Sequence, residues 1–582
     1  MWSYFNFRFH RQLRKVRRQL MRFRIIFREY AGLHLVGKWK QLAMIRRFVI
    51  LWWGLVIGLF IGLVWQTSMV VGRYLQPTPI AGGTYSEAVV GAVKNINPIL
   101  PESGAANDLN RLIFSGLTKY NAQGEIEGDL ATHWEVSADG KTYVFHLRKD
   151  VRWHDDVPFT AQDVVFTLIA IQNPDSRSPL AGTWQGVKVE ARDDRTVVYT
   201  LPKPFTPFIH TTGIGVLPRH LLEGVDPSAM RVAEFNQRPI GTGPFKIDRF
   251  EPAENKAALK AYKKYHNGAP LLDEVVLHFY PTIAEALQAY ERRVVKGVGR
   301  VQAGQIKQAE RLSNLKLQEL SVPDEVGVFF KTGGPLTGHK SVRMAIALAT
   351  NRESIISQIL GGYALPLSGP LLPGRQGINE VQPKADIKKA IATLEGDGWQ
   401  RDADGIRKKG EQKLRLKLVT QKDSQYVAVA EALKLQWQKI GVETEVILLD
   451  NTTLQQSYIR PRQYDVLLYG INTGADPDVY AYWHSSQAKD PGLNVSAYSS
   501  PAADKALEAG RTITDEATRT AKYKAFLSAW NSDIPAVMLY SPYYIYGVPK
   551  DLYGMKAEKI ITPPDRFYGI EGWAVKTDKI NF

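Results

Sequence analysis

The 582-residue chain predicts an α/β protein preceded by one membrane-crossing helix, and three observations carry that prediction. Short apolar runs at 187–189, 197–201, 275–279, 414–419, 446–449 and 466–469 have the length and β-branched content of strands. They alternate with helical patterns over 342–360 and 426–440, the order expected of a layered α/β fold. Residues 48–65 are eighteen consecutive apolar residues, counting three glycines, nearly enough at about 1.5 Å per residue to span a bilayer core, and Met69-Val70-Val71 extend them.

The N-terminal eighty residues come first. They hold fourteen Lys or Arg and one acid, Glu29, and thirteen of those bases precede Phe48. The positive-inside rule therefore predicts a cytoplasmic N-terminus and an extracytoplasmic remainder. The apolar run starts 47 residues in and Gln66-Thr67-Ser68-Met69 lacks a small-residue cleavage site, which favours an uncleaved anchor over a signal peptide. Leu13, Val16, Leu20, Phe23 and Phe27 recur at helical spacing with Arg11, Arg14, Lys15, Arg18 and Arg22 opposite, the pattern of a basic amphipathic helix on anionic lipid. Gly54, Gly58 and Gly62 form a small-residue row suited to packing against another membrane helix. Gln76-Pro77-Thr78-Pro79 reads as a stiff linker. The expected segments are 1–47 cytoplasmic, 48–71 transmembrane, 72–80 linker and 80–582 extracytoplasmic. The formal charge is +16, but beyond residue 80 there are 60 bases against 57 acids. The excess is a topology signal, and a nucleic-acid partner is excluded as its explanation.

The extracytoplasmic part, some 500 residues, exceeds one typical domain, so two or three lobes are expected. Asp139-Gly140 is a turn dipeptide. Tyr143, Phe145 and Leu147 alternate with Val144, His146 and Arg148 as in a half-buried strand. Thr160 and Asp163 form a capping box ahead of Val164-Val165-Phe166. There is no nucleophile elbow, zinc-protease motif, phosphate loop or dinucleotide fingerprint, so no enzyme and no cofactor is expected. Gly241-Thr242-Gly243-Pro244 lacks the lysine of a phosphate loop and reads as a turn, and His154-Asp155-Asp156 reads as a polar turn rather than a metal site.

The wording of 129–166, DLATHWEVSADGKTYVFHLRKDVRWHDDVPFTAQDVVF, resembles the family-5 solute-binding proteins of ABC importers, the oligopeptide- and dipeptide-binding group. It departs at Asp156, where that family usually has Gly. Gly82-Gly83-Thr84, Asn97-Pro98, Phe114-Ser115-Gly116-Leu117, Pro239 to Phe245, Asn267 to Pro270 with Leu272 to Val275, Ser341 to Ile355, Asp476-Pro477-Asp478 and Ile534-Pro535 to Leu539-Tyr540 resemble further family segments. The resemblance covers about residues 82–550. It implies a periplasmic-binding-protein-like fold, two α/β lobes around a cleft plus an extra inserted lobe. Lobe I would be about 80–128, 232–325 and 531–582, lobe II about 129–231, and lobe III about 326–530. It implies capture of peptides or a related polar solute and delivery to an ABC permease, with energy from a separate ATPase. The chain has no cysteine, so the lipidated cysteine that tethers many relatives has no counterpart, and the transmembrane helix takes its place.

In peptide-binding members an aspartate about four residues before the "DP" or "EP" motif holds the ligand's amino terminus. A buried ammonium needs a paired anion. Counted back from Pro477 that position is Thr473, and counted forward from Gly470 it is Gly474, so the acid is missing. By the resemblance, Tyr469, Gly470, Asn472, Thr473, Asp476 and Trp483 line the ligand site, and Glu102-Ser103 meet the ligand from lobe I. Asp476 or Glu102 are the candidate replacements for the anchor. The rival expectation, from another class, is a surface-anchored structural or interaction protein whose cleft is filled by its own side chains.

Overall fold

The computed structural model describes residues 21, 24–26, 28–30, 46–74, 78–372 and 382–578. The expected amphipathic stripe over 13–27 and the start of the linker fall largely outside the described residues. Two units are present, one ending at Thr78 and including Thr577–Phe582, the other Pro79–Lys576. In the first, a helix runs over Arg46–Tyr74. Its window Phe48–Thr67 has mean hydropathy 2.4 and no buried residue, and Trp52, Trp53 and Trp65 are each at least 60% exposed. Twenty residues give about 30 Å, a bilayer core's thickness.

The second unit is built on three large sheets. A seven-stranded sheet has the spatial order Leu315–Leu320, Tyr544–Pro549, Gly297–Val301, Thr84–Val90, Glu274–Tyr280, Lys256–Ala261, Phe245–Glu251. A six-stranded sheet has the order Ala364–Pro366, Ala536–Pro542, Asp324–Phe330, Val466–Asn472, Arg415–Gln421, Glu443–Leu449. A four-stranded antiparallel sheet is formed by Ala131–Val136, Thr142–Leu147, Thr196–Thr200 and Lys188–Asp193. In the six-stranded sheet Val326, Val328 and Phe330 enter one core cluster and Phe329 another. Burial on both faces of this sheet explains why its neighbouring strands at 414–419 and 466–469 read as unbroken apolar runs. Tyr143, Phe145 and Leu147 are buried on one face of the antiparallel sheet, as their alternation predicts.

Local signals match local structure. Helix Ala161–Gln172 opens on the Thr160/Asp163 capping box, and Gly140 takes φ +67° in its turn. Asp156, standing where the resembled family has glycine, has φ +71°, which explains the glycine preference there. The Gly241–Gly243 turn packs on the helix Gly104–Ile113. A Cβ on Gly241 would fall 1.9 Å from the Ile113 carbonyl oxygen. His154 clips this turn, accepting from Gly241 N at Nδ1 (3.2 Å) and donating from Nε2 to the Gly243 carbonyl (3.0 Å). Burial pushes its imidazole down to about 4, so it stays neutral.

Two differences from expectation stand out. The helical pattern over 342–360 is two helices, Lys340–Ala349 and Arg352–Gln358, because Asn351 caps the second through Ser354 N. The return to the first sheet, expected near 531, comes one strand later. Ala536–Pro542 still pairs with Asp324–Phe330, and the chain crosses at Tyr543. Residues 536–549 form one apolar run that serves two sheets in succession, and a direct crossing needs no turn residues to mark it.

Candidate ligand cleft

The strand directions place the cleft. In the seven-stranded sheet Thr84–Val90 is parallel to Glu274–Tyr280 and Gly297–Val301, so their carboxyl ends share one edge. Leu320 and Tyr544 lie opposite each other at that same edge. In the six-stranded sheet the parallel strands end at Gln421, Leu449 and Asn472, and Asp324 lies opposite Asn472. The chain leaves the first sheet through 321–323 and returns at Tyr543. The two carboxyl edges therefore meet where the chain crosses, the place where open α/β sheets bind ligands. A cavity of about 290 Å3 sits there, lined among others by Arg300, Tyr363, Asp423, Tyr426 and Tyr543. Asp423 also caps the helix Ser424–Gln438, and Arg300 reaches across to Asp324 at 3.8 Å.

The loop 469–476 is fixed to this edge. The Tyr469 hydroxyl accepts from Gln455 Nε2 (2.7 Å). A Cβ on Gly470 would stand 2.6 Å from the Tyr426 hydroxyl, so only glycine admits that tyrosine to the cavity wall. Asn472 is exposed, donates to Asp324 Oδ1 (2.7 Å) and accepts from Gly474 N (3.0 Å). Thr473 is buried, donates its amide to the crossing residue Pro323 (3.0 Å) and its hydroxyl to Glu325 Oε1 (3.0 Å). The acid missing from the loop thus has two acidic neighbours on the adjoining strand, Asp324 and the fully buried Glu325. No sequence signal marked them.

Three expected site residues serve other ends. Trp483 is fully buried, stacked on Phe329 at 5.8 Å and edge-on to Trp530 at 5.5 Å, so it is a core residue and no stacking platform. Ser103 caps the helix Gly104–Ile113 through Ala106 N (3.1 Å) and donates to Ala92 O (2.9 Å). Asp476 braces its own turn by accepting from Asp478 N (2.8 Å) and takes a bidentate grip from Arg519 at 2.5 and 2.9 Å. His210 Nε2 lies 3.5 Å from the same carboxylate. Burial alone would raise Asp476, but His210 and Arg519 hold it down at about 2. It is a buried ion-pair member. Beside it, Arg511 pairs with Asp478 (2.9 Å) and covers the rings of Tyr480 and Phe205, and Thr206 donates to Ile513 O (3.1 Å). The segment 205–210 is thereby seamed to 476–519. Glu102 lies 3.3 Å from Arg231 and its side chain is 28% exposed. Its neighbours Pro98 and Pro101 line a second cavity of about 430 Å3, together with Phe114, Trp184 and His210.

Residues 125–494 match the family described as bacterial extracellular solute-binding proteins, family 5. The oligopeptide-binding protein AppA of Bacillus subtilis is 28% identical over 506 residues, covering 85% of this chain and 92% of that one. Its structure in complex with a nonapeptide aligns with TM-score 0.67 at 27% identity, over 86% of this chain and all of AppA. The ABC transporter substrate-binding protein CtaP of Listeria monocytogenes aligns with TM-score 0.76 at 25% identity, over 85% of this chain and all of that one. NikZ of Campylobacter jejuni, solved with Ni(L-His), aligns with TM-score 0.69 at 26% identity, over 84% of this chain and 99% of its own. A family match across most of the chain, on sheets arranged around a cleft at their carboxyl edges, makes this chain a member of the bacterial extracellular solute-binding proteins of family 5.

Proposed function

We propose that this chain is the membrane-anchored, extracytoplasmic receptor of an ABC importer, which captures peptides in the cleft between two lobes and delivers them to a permease. The seven-stranded and the six-stranded sheet, each with its helices, are the two lobes, and the crossings at 321–323 and Tyr543 are the hinge. The observation that carries the reading is the cavity of about 290 Å3 at the facing carboxyl edges, open and lined by polar and aromatic groups. It supports binding over the rival of a cleft filled by side chains. The chain performs no chemistry on its cargo, and transport energy comes from a separate ATPase. That AppA holds a nonapeptide supports peptide cargo.

The test of cargo uses the ligand's end. Asp476 is engaged by Arg519, and Glu102 lies against Arg231. Asp478 is paired with Arg511, so both acids of 470–478 are already engaged by arginines. We expect a peptide and its N-acetylated form to bind within about threefold of each other, far less than the several kcal/mol that an unpaired buried charge costs. Affinities for both forms, measured on the parent chain and on Asp324→Asn, decide it. A large loss on acetylation that Asp324→Asn removes overturns the expectation and makes Asp324 the anchor.

The test of topology uses protease on intact spheroplasts. The exposed apolar helix Arg46–Tyr74 and the thirteen bases before Phe48 support a single uncleaved pass with the N-terminus inside. Digestion is expected to remove the large domain and leave a small protected fragment containing residue 48. A mature chain beginning near residue 70 sinks the anchor.

A further inference from the structure

The four-stranded sheet carries a side-chain cluster that cargo capture does not use. His133 and Glu135 are two apart on the strand Ala131–Val136 and so project to one face. His146, on Thr142–Leu147, lies directly opposite His133 in the register. The two imidazoles stack with centroids 4.4 Å apart and 12° between planes, so one ring must turn about its side-chain torsions for both in-plane lone pairs to meet on one ion. One donor atom from each of the three residues lies within 4.8 Å of the others. A zinc ion holds nitrogen and oxygen ligands at about 2.0–2.2 Å, so donors about 3–4 Å apart are bridged by one ion. The Glu135 side chain is 71% exposed, and its Oε1 stands within that range of His146.

Protonation supports the same reading. The Thr132 hydroxyl lies 3.1 Å from the His146 carbonyl and 2.9 Å from His133 Nδ1. In the tautomer in which the hydroxyl donates to the carbonyl it accepts from Nδ1, and the lone pair of His133 is then on Nε2. An oriented imidazole whose other nitrogen is held by a hydrogen bond is what a metal site requires. His146 Nε2 is shut off from water and has no hydrogen-bond partner. The nearest carboxylate oxygen, Glu135 Oε1, stands 3.5 Å away. A buried polar atom left in this way calls for an explanation.

We propose that this face binds one divalent ion of the zinc, nickel and copper class, with His133, Glu135 and His146 as protein ligands and water completing the coordination. The ion ties Ala131–Val136, at the edge of its sheet, to the strand beside it, and the site stands apart from the cleft and from whatever solute the cleft takes.

The experiment titrates zinc chloride into the untagged full chain in detergent, stripped beforehand with chelator, by calorimetry and equilibrium dialysis at pH 7.5. One equivalent is expected to bind in the micromolar range and to be released on adding chelator. His133→Gln, His146→Gln and Glu135→Gln are each expected to weaken it about tenfold or more, while His278→Gln, on another sheet, leaves it unchanged. Melting curves in chelator show whether each variant folds. If His146→Gln folds poorly, the exposed His133 and Glu135 variants carry the test. No saturable binding by the parent, or the same affinity in the His133→Gln and Glu135→Gln chains, overturns the proposal.

Discussion

Replacing Arg566 by methionine is expected to cost about 3–5 kcal/mol, the usual consequence of removing one partner from a buried charge cluster. Arg566 is 1% exposed. It donates from Nε and Nη2 to Glu87 Oε1 at 3.0 and 2.7 Å, and from Nη1 and Nη2 to Asp108 at 2.6 and 2.7 Å. Tyr85 and Tyr546 donate to the other Glu87 oxygen. Burial lifts the Glu87 carboxyl above its ordinary value against the pull of Arg566. Without the cation, two carboxylates face each other in the core, and one must protonate or draw in water. The arginine also ties 563–567 to the helix Gly104–Ile113, which carries the Glu102-Ser103 turn at its start. The loss therefore falls on the sheet that forms one wall of the cleft. Thermal and urea melts followed by hydrogen exchange are the measurement. Exchange should quicken first over 84–113 and 544–573. The comparison variant is Arg219→Ala, whose exposed pair with Glu223 sits on one helix surface. Equal midpoints for the two variants would falsify the structural role of Arg566.

The contrast between Glu87 and the features read from sequence shows what a sequence carries. The capping box at Thr160 and the alternation from Tyr143 to Leu147 are local patterns, set by residues a few positions apart, and the structure reproduces them. Three strands of the six-stranded sheet were legible as the apolar runs 414–419, 446–449 and 466–469, in a sheet with both faces covered. Glu87 lies in a strand reading TYSEAVV, where an acid suggests a solvent-facing position. Its partner Arg566 is far along the chain, and only tertiary packing joins them. The site residues divide in the same way. Gly470 and Asn472 lie at the carboxyl end of a central strand and Thr473 just beyond it, beside the residues that line the cavity but not among them. Trp483 and Asp476 belong to the same stretch, but the short helix Tyr480–Trp483 turns the indole into the core. Arg519 and His210 capture the carboxylate from segments that carry no mark of it. The acids Asp324 and Glu325 escaped notice because strand pairing alone brings them beside the 472–473 turn.

Asp476→Asn is expected to lose about 3 kcal/mol at pH 7 and to lose its disadvantage in acid. The substitution keeps the shape and one hydrogen-bond acceptor but leaves Arg519, 7% exposed, without its anion. The groups facing this carboxylate are Arg519, His210, Asp478, Tyr143 and Tyr523. Against its burial and the like charge of Asp478, His210 and Arg519 hold Asp476 at about 2, below an ordinary 3.8. That depression is equivalent to about 2 kcal/mol of linked stability. A carboxyl depressed on folding contributes fully above its unfolded value and gives up the contribution as pH falls through its folded one. The gap between parent and variant should therefore be constant from pH 7 to about 5, narrow through pH 4, and largely close by pH 2. Other acids titrate in this window in both proteins, so the difference between the two isolates Asp476. The same carboxylate joins 205–210 to 476–519, so the variant should also hold the lobes together less firmly. Small-angle scattering of the ligand-free chain is expected to give a larger radius for Asp476→Asn than for the parent, with peptide narrowing the difference as closure is driven by the ligand. A variant as stable as the parent at pH 7, with a parallel acid profile and an unchanged radius, would mean that the Arg519 pair is replaced by solvent at no cost and that the seam between the segments does not depend on it.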